Sequence, residues 1–67
     1  MQISFIGAGK VGVSLGKYFI SKGRKVGGYY SLSPESAAWA ANFTNTKQYQ
    51  SIKEIISSSD MIFFTVP

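Results

Sequence analysis

Three glycines near the amino terminus have the spacing best suited to chemistry. Gly7, Gly9 and Gly12 form the pattern G-x-G-x-x-G, directly after a predicted strand and at the start of a predicted helix. Gly7 would permit the tight bend, Gly9 would leave room for a phosphate against the backbone, and Gly12 would let the helix lie close to the strand. The first N–H groups of a helix are free and suit phosphate oxygens. The turn therefore predicts a dinucleotide site, with a turn needed only for packing as the alternative.

Two lysines follow glycines in this region, but neither Gly9-Lys10 nor Gly16-Lys17 belongs to a P-loop. A P-loop also requires a glycine at the start of its motif, and Ser4 and Val11 occupy the two corresponding positions. It further requires Ser or Thr after the lysine, and neither lysine is followed by one. The glycine turn is therefore not interpreted as a P-loop.

The end of the second predicted strand bears on which dinucleotide would bind. NAD-dependent proteins usually carry Asp or Glu there, because a carboxylate binds the ribose hydroxyls and repels a 2′-phosphate. Here the segment is Tyr29-Tyr30-Ser31-Leu32-Ser33, which contains no acid. The hydroxyl groups of Ser31 and Ser33 and the first N–H groups of the next helix would suit a phosphate, although Ser33 is also needed as the helix cap. The segment favours NADP over NAD.

Composition excludes several other chemistries. The 67 residues include no Cys and no His, so we expect no disulfide scaffold, metal site or thiol catalysis, and the commonest general base is absent. The net charge of +4 comes from scattered lysines and one arginine without a nucleic-acid-binding motif. We therefore expect neither nucleic acid nor a membrane as a partner. With no signal peptide or membrane-length apolar run, a cytoplasmic location is expected.

Strands and helices alternate along the sequence. Strands are predicted at 2–6, 25–30 and 61–66, with a brief one at 46–50, and the last is expected to be buried on both faces. Helices are predicted over 10–22, over 34–43 after a Ser33 cap, and after a Ser51 cap. The alternation predicts an α/β fold with a parallel sheet and helices on its faces. Together with the glycine turn it indicates a partial Rossmann fold, with a doubly wound parallel sheet in the order 3-2-1-4 and helices on both faces. The first helix is amphipathic, with apolar residues at helical spacing: Val11, Leu15, Tyr18 and Phe19.

Three segments together resemble one superfamily. They are residues 6–12 (IGAGKVG), 28–33 (GYYSLS) and 59–67 (SDMIFFTVP). The resemblance is to NADP-binding domains of the group that includes 6-phosphogluconate dehydrogenase, pyrroline-5-carboxylate reductase and prephenate dehydrogenase. Within this group the chain most resembles a poorly characterised branch of NADP oxidoreductases with a Rossmann-like N-terminal domain. The resemblance covers essentially the whole chain, and its motifs are specific to the superfamily rather than to one reaction.

The resemblance implies a set of cofactor-binding residues. They are Gly7, Ala8, Gly9, Lys10, Val11, Gly12, Tyr30, Ser31, Leu32, Ser33, Thr65, Val66 and Pro67. Residues 7–12 would hold the pyrophosphate, 31–33 would border the adenosine 2′-phosphate, and 65–67 would pass near the ribose on the nicotinamide side. Related NADP-dependent proteins commonly have Arg where Leu32 stands, so one part of the expected 2′-phosphate clamp is missing.

In these relatives the residues that bind substrate and transfer protons lie beyond the first domain. The chain is therefore interpreted as the N-terminal part of a dinucleotide-binding domain, over residues 1–67, of an oxidoreductase. Its small-molecule substrate and its hydride transfer would depend on regions after Pro67, so no catalytic residue is assigned and the chain alone is expected to be inactive. The alternative is a non-catalytic nucleotide-binding or protein-interaction module.

The last predicted strand also has a consequence for assembly. In the order 3-2-1-4 it lies at an edge of the sheet, and an apolar edge without a neighbour favours pairing with another chain. We therefore expect a homo-oligomer formed through residues 61–66.

Overall fold

The structure, a computed structural model, describes residues 1–65. In chain order the elements are β1 (Gln2–Ile6), α1 (Lys10–Ser21), β2 (Lys25–Tyr30), α2 (Pro34–Thr44), β3 (Lys47–Gln48), α3 (Ile52–Ser58) and β4 (Met61–Phe64). The predicted elements are present in the predicted order. Two strands are shorter than expected, since β3 is limited to Lys47–Gln48 and β4 ends at Phe64.

The four strands form one parallel sheet in the order β3-β2-β1-β4. Alternate residues of β1 face two different layers. Ile3 and Phe5 join the apolar cluster beneath α1 and α2, whereas Ile6 packs with Ile55 of α3 on the other face. This arrangement confirms the predicted α/β Rossmann-like fold with strand order 3-2-1-4 and helices on both faces.

The layer beneath α1 and α2 is built mainly from aromatic rings. Phe5 of β1 stacks on Tyr29 of β2, with ring centroids 5.0 Å apart, and both side chains are fully buried. Phe63 of β4 lies 5.6 Å from the Phe5 ring and 5.4 Å from the Phe19 ring of α1. These contacts join three neighbouring strands to α1.

Two of the three helices begin with the caps that the sequence predicts. The Ser33 hydroxyl accepts a hydrogen bond from the Ser36 N–H (3.4 Å), and the Ser51 hydroxyl accepts one from the Glu54 N–H (3.2 Å). The first helix differs, because its cap residue, Gly9, has no side chain to offer. Each capped helix therefore satisfies one of its free N–H groups internally, and α1 does not.

The packed face of α1 agrees with the prediction only in part, because Leu15 and Phe19 of the apolar pattern pack against the core but the other two residues do not. Val11 is 64% exposed and Tyr18 also faces solvent, although both belong to the apolar pattern. The buried residues of the helix are instead Gly12, Val13 and Gly16. The reason is that α1 lies closest to the sheet along its glycines, which hydrophobic periodicity does not detect.

The prediction that the last strand is buried on both faces is wrong. Met61 and Phe64 are exposed, and Phe64 is 71% accessible. β4 pairs with β1 on one side, and within residues 1–65 no other strand pairs with its second side. An edge position leaves both faces partly open, which continuous hydrophobicity cannot reveal. Val66, the last residue of the predicted strand, lies outside the described residues.

Candidate functional site

A cleft of about 1080 Å³ opens at the carboxyl ends of β1, β2 and β4. Most of the predicted cofactor-binding residues line it: Gly7, Ala8, Gly9, Lys10, Val11, Tyr30, Ser31, Leu32, Ser33 and Thr65. The cleft thus brings together three segments that are far apart in sequence. Its volume is of the size that accommodates a small organic ligand. Lys10 is the only cationic side chain among the described lining residues, and none of them carries a carboxylate.

Gly7 makes the bend between β1 and α1. Its φ of 108° lies in a region that side chains rarely adopt, so glycine is required by the backbone alone. A Cβ atom at this position would lie 2.9 Å from the backbone of Thr65, which adds a steric reason. The N–H of Gly7 donates to the carbonyl of Tyr30 at 2.7 Å and thereby ties the bend to the end of β2.

Gly12 does not line the cleft but packs behind it. A Cβ atom there would lie 2.7 Å from Oγ1 of Thr65 and 3.1 Å from the carbonyl oxygen of Gly7. The expected close approach of helix and strand is therefore present, and the nearest neighbour is Thr65, just after β4. Gly12 lets α1 start beside the ends of both β1 and β4.

Gly9 is the glycine that packing does not explain. Its φ of −82° is accessible to any residue, and a Cβ atom would meet nothing within 4 Å. It nevertheless lines the cleft as the cap residue of α1, a helix without a side-chain cap and without an acid in its first turn. The start of α1 therefore presents backbone N–H groups and a positive dipole end to the cleft, which suits an anion.

Serine hydroxyl groups line the cleft where β2 leads into α2. Ser31 Oγ accepts a hydrogen bond from the Ser33 N–H (3.2 Å), and the Ser36 hydroxyl donates to Ser33 Oγ (3.2 Å). Leu32 lies between Ser31 and Ser33 in sequence and is 92% exposed, so it has little contact with the protein. The sequence analysis did not identify Ser36, because it lies inside α2; its signal is the spacing of one helical turn from Ser33.

Thr65 closes the cleft at the end of β4. Its N–H donates to the carbonyl of Ile6 (2.9 Å), and its hydroxyl donates to the carbonyl of Gly7 (3.1 Å). Both groups are thus engaged with β1 and the bend that follows it. The other two residues expected in this segment, Val66 and Pro67, lie outside the described residues.

The wall of the cleft is largely apolar, and the sequence analysis did not assign these residues to the site. They are Ile6, Leu15, Ile52, Phe63 and Phe64. Ile52 and Phe64 are exposed on the cleft side of the sheet, where an apolar ligand surface could cover them. Apolar residues in strands and helices are ordinarily assigned to the core, so only the tertiary arrangement identifies them as lining residues.

A buried tyrosine lies directly behind the turn. The Tyr29 hydroxyl donates to the carbonyl of Gly12 at 2.9 Å, and burial raises the pKa of this hydroxyl to about 12 against a smaller opposing effect of the Thr44 hydroxyl. Gly16 makes this contact possible, because a Cβ atom there would overlap the Tyr29 hydroxyl. Tyr29 therefore holds the first turn of α1 to β2 and does not line the cleft.

Comparisons with known proteins agree on the type of fold. The family described as NADP oxidoreductase, coenzyme F420-dependent, matches residues 2–67. No curated protein matches the chain. Two solved structures of UDP-N-acetylglucosamine 3-dehydrogenase from Acidithiobacillus ferrooxidans are similar to it, with TM-scores of 0.90 and 0.86 and 19% sequence identity in each case. In both, the similarity covers 100% of this chain and 22% of the other, so the chain spans about a fifth of the length of the structures it matches.

Proposed function

The chain belongs to the family of coenzyme F420-dependent NADP oxidoreductases, and we propose that it binds the NADP cofactor of an oxidoreductase. The cofactor pyrophosphate would lie against residues 7–12, at the start of α1. The observation that carries this proposal is the start of α1, which has no cap other than Gly9 and opens into the cleft. Two capped helices in the same chain make this difference specific to α1.

Two properties of the cleft support NADP over NAD. The described lining residues include Lys10 but no carboxylate, so the local charge favours an additional phosphate. The hydroxyl groups of Ser31, Ser33 and Ser36 lie together where the adenosine ribose would end. A 2′-phosphate placed there could accept hydrogen bonds from the Ser31 and Ser33 hydroxyls, which act only as acceptors among these serines.

The bound cofactor would supply the hydride chemistry, and this chain would bind and orient it. Thr65, Val66 and Pro67 would pass near the ribose on the nicotinamide side. No residue of this chain is proposed to be catalytic. We propose that hydride transfer to a small-molecule substrate is completed by regions outside residues 1–67.

The proposal is tested by titrating the chain with NADPH and with NADH. The fluorescence of the reduced nicotinamide is a better signal than tryptophan fluorescence, because Trp39 is exposed on α2 and does not line the cleft. We expect both to bind and NADPH to bind more tightly. If neither binds at millimolar concentration while circular dichroism indicates a folded chain, the proposal is wrong.

Two glycine variants make the test specific to the turn. Gly9→Ala should lower the free energy of unfolding by no more than about 1 kcal/mol, because its Cβ enters open space and only the N-cap preference for glycine is lost, but it should weaken NADPH binding at least about tenfold by occupying the phosphate position. Gly23→Ala is the matched control. Gly23 has a φ of 77° and lies outside the cleft, so the variant should lose about 1 kcal/mol of stability and keep its affinity. Unchanged NADPH affinity in Gly9→Ala would exclude the turn as the binding site.

We also propose that the chain self-associates through the exposed edge of β4. The basis is the exposure of Met61 and Phe64 on a strand that pairs with β1 alone among the strands of residues 1–65. This association does not depend on the cofactor.

A further inference from the structure

The side chain of Thr65 lies between the two ends of the glycine turn. Its Oγ1 would be 2.9 Å from a Cβ atom at Gly7 and 2.7 Å from one at Gly12. The two glycines are therefore needed, in part, to make room for the same hydroxyl group. A single residue after β4 thus contacts both the bend that begins the turn and the helix that ends it.

The hydroxyl of Thr65 is engaged with the protein rather than with the space of the cleft. A hydroxyl has one hydrogen to donate, and that of Thr65 is directed to the carbonyl of Gly7 at 3.1 Å. On the other side of Gly7, its N–H donates to the carbonyl of Tyr30 at 2.7 Å. Both peptide groups of the bend are therefore fixed, one by β2 and one by the residue after β4.

Binding a pyrophosphate demands that such a bend be fixed in advance. The backbone N–H groups at the start of α1 must point at the ligand together, and each misplaced donor loses a charge-assisted hydrogen bond. Gly7 has no side chain to restrict its own backbone, so its orientation depends on external contacts. Thr65 provides the contact that reaches Gly7 and Gly12 at the same time.

We infer that Thr65 is a positioning residue: its hydroxyl fixes the conformation of the glycine turn, and through the turn it sets the affinity for the cofactor pyrophosphate. The second half of this statement depends on the proposed function, while the first does not. The inference differs from the role near the ribose that the resemblance implies for Thr65, since here the hydroxyl acts on the protein backbone.

Thr65→Val and Thr65→Ser separate the hydroxyl from the shape of the side chain. Valine keeps the shape and removes the donor, whereas serine keeps the donor and removes a methyl group. Thr46→Val is the matched control, because Thr46 also has a half-buried, hydrogen-bonded hydroxyl but lies outside the cleft. Circular dichroism and thermal unfolding first establish that each variant of the 67-residue chain is folded.

The first measurement is made on the free chain. The ¹³C chemical shift of the Gly7 carbonyl should change in Thr65→Val and stay close to the wild-type value in Thr65→Ser and Thr46→Val. The second measurement is the dissociation constant for NADPH. A lost hydrogen bond of ordinary net strength predicts about tenfold weaker binding in Thr65→Val, with Thr65→Ser and Thr46→Val within about threefold of the wild type.

Three results would overturn the inference. In the first, the Gly7 carbonyl shift is the same in Thr65→Val and the wild type. In the second, the shift changes but NADPH affinity does not. In the third, Thr65→Ser is as impaired as Thr65→Val, which would mean that keeping the hydroxyl does not preserve the turn. Failure of the wild type to bind NADPH would instead contradict the proposed function, and the carbonyl shifts would still decide whether Thr65 fixes the turn.

Discussion

At the scale of single residues, the cleft offers a 2′-phosphate several hydroxyl groups but no guanidinium. Leu32 stands where the NADP-dependent relatives that this sequence resembles commonly have Arg, and its side chain is almost entirely exposed. Ser31 and Ser33 lie on either side of it, and the hydrogen bonds among the serines keep these hydroxyls close together. Position 32 therefore has room for a longer side chain without any change in packing.

Replacing Leu32 by Arg should strengthen the binding of NADPH. In Leu32→Arg the guanidinium can pair with the 2′-phosphate at a solvent-exposed site, which predicts a gain of about 1 kcal/mol, or about fivefold tighter NADPH binding. NADH affinity should stay the same, because NADH lacks that phosphate. Isothermal titration calorimetry with both cofactors measures the change in selectivity.

Ile56→Arg is the matched control for this variant. Ile56 is also an exposed aliphatic residue, and it lies on α3 outside the cleft. Its replacement by Arg adds the same charge to the molecule as Leu32→Arg does. An equal gain in Ile56→Arg would mean that net charge and not position is responsible. An equal gain for NADH in Leu32→Arg would place the 2′-phosphate elsewhere.

At the scale of elements, the contact between α1 and β2 depends on a pair that the sequence analysis did not identify. Gly16 of α1 leaves space for the fully buried Tyr29 hydroxyl, which donates to the carbonyl of Gly12. The apolar spacing in α1 correctly predicted a helix. It also included Val11 and Tyr18, which are exposed to solvent. A hydrophobic pattern records which residues are apolar, whereas the closest helix–sheet contact here is made by residues with no side chain.

Gly16→Ala should destabilise the fold even though alanine is the better helix former. The helix propensity gain is about 1 kcal/mol, but a Cβ atom would overlap a fully buried tyrosine, and overpacking typically costs about 1–3 kcal/mol. Urea unfolding followed by circular dichroism measures the net loss. Removing the hydroxyl in the double variant Gly16→Ala/Tyr29→Phe should make the alanine less costly than it is in the wild-type background. A cost that is the same in both backgrounds would contradict this packing.

The start of α3 carries a pH-dependent contribution to stability. Glu54 accepts a hydrogen bond from the Gln50 N–H (2.8 Å), and this bond, aided by nearby Lys47, lowers the pKa of Glu54 against a smaller effect of desolvation. A pKa lower in the folded state than in the unfolded state means that the stabilisation is present at neutral pH. It is lost as the pH falls through the range in which carboxyl groups titrate.

Glu54→Gln should therefore reduce the acid sensitivity of the fold. Glutamine keeps an acceptor for the Gln50 N–H but does not titrate, so the melting temperature should fall less between about pH 6 and about pH 3 than in the wild type. Glu35→Gln is the control: Glu35 is also in the first turn of a helix, but no hydrogen bond joins its side chain to another of residues 1–65. Equal effects of the two substitutions would show that total charge, and not the cap of α3, determines the acid sensitivity.

At the scale of the whole molecule, the alternation of strands with helices was enough to predict a parallel sheet covered by helices, and the glycine turn of a dinucleotide-binding fold added the strand order 3-2-1-4. The bounds of β1 and β2 were also predictable, since Gly7 follows β1 directly and β2 lies between Gly23 and Ser31. The sequence could not predict how far β4 is buried. An apolar run has the same composition at the centre and at the edge of a sheet, and exposure depends on which neighbours cover it.

The exposed edge of β4 leads to the last prediction, that the chain self-associates. Met61–Phe64 carries no charge, and pairing through its free backbone groups would bury Phe64, whereas the net charge of +4 opposes association. Salt screens that repulsion and does not weaken burial of apolar surface, so sedimentation at about 100 μM should indicate more dimer at high than at low ionic strength.

Phe64→Lys should abolish the dimer. Phe43→Lys is the matched control, since Phe43 is similarly exposed on α2 and packs against Trp39. If Phe43→Lys removed the dimer and Phe64→Lys did not, the association surface would be the aromatic pair on α2, and a monomer at all salt concentrations would contradict both.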